Sequence, residues 1–128
     1  MFEKLGLTKM AQGLASYSGA RLAIIAENVA NADTPRYRAK DLPDFASAYD
    51  GMASFSARAT RPDHLLAPTP ASVAEPVLSG GSMAPNGNDV SIDLQIMKSV
   101  EVRQNHEMAL AVYRSTSSIL RTSLGRSG

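Results

Sequence analysis

The stretch Asn28-Val29-Ala30-Asn31-Ala32-Asp33-Thr34-Pro35-Arg36-Tyr37-Arg38-Ala39-Lys40-Asp41 decides the fold. Its first residues complete a helical pattern, and Asp33-Thr34-Pro35 ends it. Proline disfavours the α conformation at Thr34 and has no N–H to continue a helical ladder. From Arg36 to Asp41 the chain reads as a polar connection.

Working back from this break, the pattern is helical to about Thr8, whose hydroxyl is expected to cap the first turn. At 100° per residue, Met10, Leu14, Tyr17, Leu22, Ile24, Ile25 and Val29 fall within an arc of about 160°. Lys9, Gln12, Ser16, Ala23 and Glu27 occupy the opposite face. Gly13 and Gly19 each cost about 1 kcal/mol relative to alanine, so the helix is marginal alone. Arg21 sits inside the apolar arc. It has two readings: a partner in Glu101, Glu107 or a neighbouring chain, or a side chain that snorkels to water. Asn28 lies at the edge of the arc and Asn31 about 60° beyond it. Buried amides must be hydrogen-bonded, which suits them to fixing helix register or to holding the departing chain; the alternative is ordinary asparagines bonded to water.

Working forward, residues 42–90 contain six of the seven prolines and few large apolar residues. Ser79-Gly80-Gly81-Ser82 and Pro85-Asn86-Gly87-Asn88 are turn chemistry. This part is expected to be irregular, with short strands at most, Ser54-Phe55-Ser56 being one candidate. A second helix begins between Asp89 and Asp93, capped by Asp89 or Ser91, and runs to about Thr122. Its apolar residues form two sectors. One holds Ile92, Ile96, Leu110, Tyr113, Leu120 and Leu124; the other holds Leu94, Met97, Met108, Val112 and Ile119. Leu110, Tyr113, Ser117, Leu120 and Leu124 keep the spacing of a coiled-coil seam. A helix with one partner needs one stripe, so two stripes imply further neighbours or cover from the middle region.

Composition narrows the function. The 128 residues suit one domain, with segments 1–33, 34–90 and 91–128 as helix, irregular outer part and helix. Net charge is +1 with no basic stripe interleaved with aromatics, so nucleic-acid binding is unsupported. There is no cysteine, which removes disulfides and thiol chemistry. His64 and His106 lack metal-ligand spacing, and no phosphate-binding or nucleophile motif occurs. Neither an enzyme nor a cofactor is expected. No apolar run reaches the roughly 20 residues of a membrane helix, and Met1–Met10 is not a cleavable signal peptide. Tyr17, Tyr37 and Tyr113 are amphipathic, fit for interfaces or for plain core.

The opening stretch resembles the Asn-(Ile/Val)-Ala-Asn-Ala-x-Thr-Pro-Gly-Tyr motif of flagellar rod, hook and hook-associated proteins, with Asn28, Asn31, Thr34, Pro35 and Tyr37 matching. Continued as Tyr-Arg-Ala-Lys-Asp, it is most similar to the FlgB family of proximal rod proteins. Met1-Phe2-Glu3-Lys4-Leu5, Pro62-Asp63-His64-Leu65 and Gly87-Asn88-Asp89-Val90-Ser91-Ile92-Asp93 agree with that family. The likeness runs on through Glu101, Leu110 and Leu120-Arg121-Thr122-Ser123-Leu124. It covers most of the chain but is thin from Ala46 to Ser82. Arg36 departs from it, standing where the family has glycine.

The resemblance implies a mainly α protein whose two long terminal helices pack as a coiled-coil-like pair. It implies a structural rod subunit of the basal body, in the periplasm, that polymerises through those helices, transmits torque and encloses the export channel. Packing would use Leu14, Tyr17, Arg21, Ile24, Ile25, Val29, Met97, Met108, Leu110, Tyr113, Leu120 and Leu124. Implied partners are copies of the chain, other rod proteins, and MS-ring junction and export-gate proteins at the rod base. Another short rod protein, or a cytoplasmic helical adaptor or export chaperone, is the alternative. The terminal segments are expected to be partly disordered in the monomer and to fold on assembly.

Overall fold

A computed structural model describes residues 2–54 and 74–125. In chain order the elements are α1 (Phe2–Ala30), β1 (Lys40–Asp41), α2 (Phe45–Ser54), β2 (Val77–Leu78) and α3 (Ile92–Gly125). Phe55-Ser56 and Pro62-Asp63-His64-Leu65 lie outside the described residues.

The molecule is a hairpin of its two long helices. At 1.5 Å per residue, α1 is about 44 Å long and α3 about 51 Å. They run antiparallel: Asn28 reaches Gln95, Arg21 reaches Glu101, and Ser18 and Leu22 share a cleft with Val102 and His106. Buried positions recur every seven residues in each helix. In α1 they are Ala11, Ser18 and Ile25, joined by Asn28; in α3 they are Gln95, Val102, Ala109 and Thr116. This is coiled-coil spacing, but apart from Ile25 and Val102 the row is made of small and polar residues.

That row corrects the expected seam. Leu110 and Leu120 are half-buried at its edge, whereas Tyr113 and Leu124 are exposed. Alanine, serine and threonine let the two backbones approach closely, and the larger residues of both sectors stand to either side. Among the described residues the buried apolar side chains are Ala11, Ile25, Ala39, Leu42, Val102 and Ala109. Only three exceed alanine, so the core is thin.

The helix ends differ from the sequence expectation in detail. Thr8 is inside α1, not at its start, and its hydroxyl donates to the Lys4 carbonyl at 2.9 Å. A hydroxyl bonding back one turn is compatible with a helix interior, so a capping residue type is no proof of an end. Ser91 does cap α3: its Oγ accepts from the Leu94 N–H at 3.4 Å, and its carbonyl accepts from Gln95. Asp93 lies in the first turn, where its charge complements the helix dipole.

The region read as irregular holds an unexpected helix. α2 follows Pro43-Asp44 and closes on α1 through two aromatics one turn apart. Phe45 stacks against Tyr17 at 5.4 Å and against Tyr49 at 5.5 Å. Tyr49 also lies over Gly13, where an added Cβ would sit 3.6 Å from its ring. β1 and β2 pair antiparallel, Lys40 with Leu78 and Asp41 with Val77. Among the described residues, no helix is long and apolar enough to cross a membrane.

Candidate functional site

The polar residues of the opening stretch converge where α1 ends and α3 begins. Asn28 is fully buried. Its Nδ2 donates to the Lys40 carbonyl at 2.7 Å and to Gln95 Oε1 at 3.1 Å. Its Oδ1 accepts from the Lys40 N–H at 3.0 Å and from the Tyr37 hydroxyl at 3.3 Å. The amide thus grips both sides of one peptide residue, as a neighbouring strand would, and also ties α1 to α3.

Asn31 completes the end of α1. Its Nδ2 donates to the Glu27 carbonyl at 2.8 Å, and its Oδ1 accepts from the Thr34 hydroxyl at 3.1 Å. From the far side, Asn88 donates to the carbonyls of Asn31 and Thr34 at 2.9 and 2.8 Å. The carbonyls left open by Pro35 are therefore satisfied by side chains. Arg36 then turns the chain with φ 63°, a conformation that favours glycine. Its N–H donates to the Asn86 carbonyl, and it packs on Gly87, where a Cβ would meet its Cα at 3.5 Å.

Two carboxylates secure the connection. Asp89 is almost fully buried; it accepts from the Ala39 N–H and from Arg38 Nε at 2.8 Å. The Ala39 N–H lowers its pKa first; burial opposes, and Arg38 adds to the lowering. Asp41 receives Arg21 through Nε at 2.8 Å and Nη2 at 3.1 Å, Lys98 Nζ at 2.9 Å, and the Leu42 N–H at 2.8 Å. Burial pushes its pKa up, but hydrogen bonds from Arg21 and Lys98, the guanidinium charge and the Leu42 N–H together hold it down to about 2. One carboxylate therefore joins α1, β1 and α3. Tyr17 adds a fourth tie, its hydroxyl donating to the Pro43 carbonyl at 2.6 Å.

This arrangement binds chain to chain. Its acids are saturated by internal donors, and among the described residues no group of three His, Cys, Asp or Glu side chains could hold a metal ion. It can fix the angle and register between two helices and the path of the segment between them.

A family model described as "Flagella basal body rod protein" matches residues 18–38, which run from the middle of α1 through the gripping asparagines to Arg38. The flagellar basal body rod protein FlgB of Agrobacterium fabrum (strain C58) is 26% identical over 118 residues, covering 88% of each chain. The chain is thus similar to flagellar basal-body rod proteins in this segment and along most of its length.

In this chain Asn28, Asn31, Thr34 and Tyr37 meet in one network, with Pro35 at its bend. Arg21 finds its acid in Asp41, with Glu101 at a looser 3.8 Å. The helix-packing candidates do not form one surface. Ile25 is buried, Leu14, Tyr17, Arg21 and Ile24 are half-buried, and Val29, Met97 and Met108 are exposed. Sequence reasoning missed Asp41, Gln95, Lys98 and the Asn88 amide. The signal for Asp41 was an arginine inside an apolar arc, which calls for an acid reaching in from elsewhere. Nothing local marks Gln95, which looks like any surface glutamine near a helix start.

Proposed function

We propose that this chain is a structural subunit of the proximal rod of the flagellar basal body. Its paired terminal helices form the inner, axial layer of a helical tube, and the segment around β1, α2 and β2 lies farther out. The observation that carries this reading is the pairing itself: α1 and α3 meet along a row in which only Ile25 and Val102 are large apolar residues, and they leave many of their other large apolar side chains exposed. Met97 is 70% exposed and Val100 63%. Exposed apolar rows on opposite sides of a thin hairpin are interaction surfaces, and unlike surfaces that meet without closing build a helix of subunits.

In this role the Asn28 and Asp41 network keeps the helix pair stiff where the chain reverses, so that the rod carries torque from the motor while enclosing the export channel. The subunit reaches its place through the flagellar type III apparatus. It contacts copies of itself, other rod proteins, and MS-ring junction and export-gate proteins at the rod base. Structure-forming contacts, not catalysis, account for its polar cluster. Deleting the chain and isolating basal bodies tests the reading. The expected result is loss of the rod and of swimming, with both restored by the wild-type chain. Complete rods lacking the chain would refute it.

A further inference from the structure

The two exposed flanks of α3 carry opposite charge. At about 100° per residue, the residue after each buried position lies on one flank and the residue before it on the other. Ile96, Arg103 and Leu110 thus share one flank, and Leu94, Glu101 and Met108 share the other. Arg103 and Glu107 line an open cleft of about 420 Å³ with Ser18, Gly19, Leu22, Val102 and His106. Glu101 stands 3.8 Å from Arg21, which is tied to Asp41. One flank therefore belongs to the cleft side of the hairpin and the other to the side covered by the connection.

Following the helix, the cleft side continues to Arg114 and Arg121. With Arg103, three exposed arginines face a single acid there, Glu107. The connection side has the reverse balance. Asp41 is neutralised by Arg21 and Lys98, but Glu101, Asp44 and Asp50 are exposed. Asp44 and Glu101 both act on Tyr17, whose pKa is raised by burial first, then lowered by Arg21 and raised again by Asp41 and these two acids. That shared influence puts them on one side. Apolar surface accompanies each charge: Ile96 and Met108 are both 54% exposed.

We propose that copies of this chain pack side to side in one direction, the basic cleft side of one against the acidic connection side of the next. This rests on the rod-subunit reading and adds which faces meet. Like faces would set three arginines against three, whereas unlike faces pair charge with charge around an apolar centre. Methionine is suited to filling such an irregular cleft.

Charge reversal tests it. Arg114→Glu with Arg121→Glu, and separately Asp50→Lys with Glu101→Lys, should each lower incorporation into isolated basal bodies about tenfold. All four together should recover to within about threefold of wild type. Either pair behaving as wild type, or the four together doing no better than the worse pair, overturns the proposal. Circular dichroism of each purified variant shows that lost incorporation is not lost folding. The cysteine-free background gives a second measurement. With a flexible bis-maleimide in cells, a chain carrying both Ile96→Cys and Met108→Cys should give a ladder, and each single variant only monomer. Dimers from Ile96→Cys alone overturn the proposal, as does the absence of any ladder. If the wild-type chain is missing from isolated basal bodies, the rod reading itself fails. If it is present and the reversals are neutral, only the choice of faces fails.

Discussion

Asn28 shows why a family motif that looks unremarkable on a helix wheel can be structural at atomic scale. All its polar capacity is used by partners 9 to 67 residues away. Asn28→Leu keeps the volume but strands the Lys40 peptide and the Gln95 amide, at a cost of about 3 kcal/mol. Asn31→Ala loses a cap on a helix end and should cost about 1 kcal/mol. Urea unfolding of both variants checks the ratio; equal midpoints would mean that Asn28 holds nothing special. Arg36 is the opposite case, a residue held at φ 63° where glycine would be unstrained. Arg36→Gly should stabilise by about 0.5–1 kcal/mol and raise Tm, because the bond to Asn86 uses the backbone and survives. Asp41 supplies a pH dependence. Its folded pKa of about 2 lies below the ordinary 3.8, so its contribution is present above about pH 4 and disappears as pH falls toward 2. Stability measured from pH 7 to 2 should fall through that window, and Asp41→Asn should flatten the fall, leaving the smaller part due to Asp89, whose pKa is also lowered.

At the scale of elements, what could be read from the sequence depended on whether the governing contact was local. The long helices were legible because their apolar residues repeat at helical spacing and because Pro35 and Ser91 punctuate them. The seam was not, since the large residues that dominate a helical wheel sit beside it. Alanine, serine and threonine carry no hydropathy signal, yet they set the distance between α1 and α3. α2 escaped notice for a related reason. Ten residues containing Gly51 make a weak helix by propensity, and the Phe45 and Tyr49 contacts that hold it are to Tyr17 and Gly13, 28 to 36 residues away. The gripping asparagines were legible as candidates, but Asn28's partners Lys40 and Gln95, and Arg21's partner Asp41, required the fold. A seam of small residues makes a distinct prediction: Ala109→Leu forces the helices apart and should cost about 1–3 kcal/mol, while Met108→Leu next to it should be nearly neutral. Thermal melts of the two variants decide this, and similar Tm values would mean that the close approach of the helices is unimportant.

For the whole molecule, the thin core and the polar hub imply uneven stability along the hairpin. Buried positions begin at Ala11 in α1 and end at Thr116 in α3, so the first turns of α1 and the last turns of α3 have little to hold them. The hub end is secured by Asn28, Asp41, Asn88 and Asp89, whereas the far end exposes Phe2, Leu5, Leu7 and Ile119. Isolated helix ends of this kind fray, and the free energy to order them must come from neighbours. On the rod-subunit reading proposed above, assembly would order these ends and cover the apolar flanks in one step. This has a measurable consequence in the methionines. Met97 and Met108 should react readily with peroxide in the dilute monomer, because both side chains stand open to solvent. In isolated basal bodies they should be protected by about tenfold or more, as expected for side chains sealed in a packed interface. Mass spectrometry of the two preparations measures the ratio directly, and equal oxidation of both residues before and after assembly would show that the flanks of α3 face solvent in the rod.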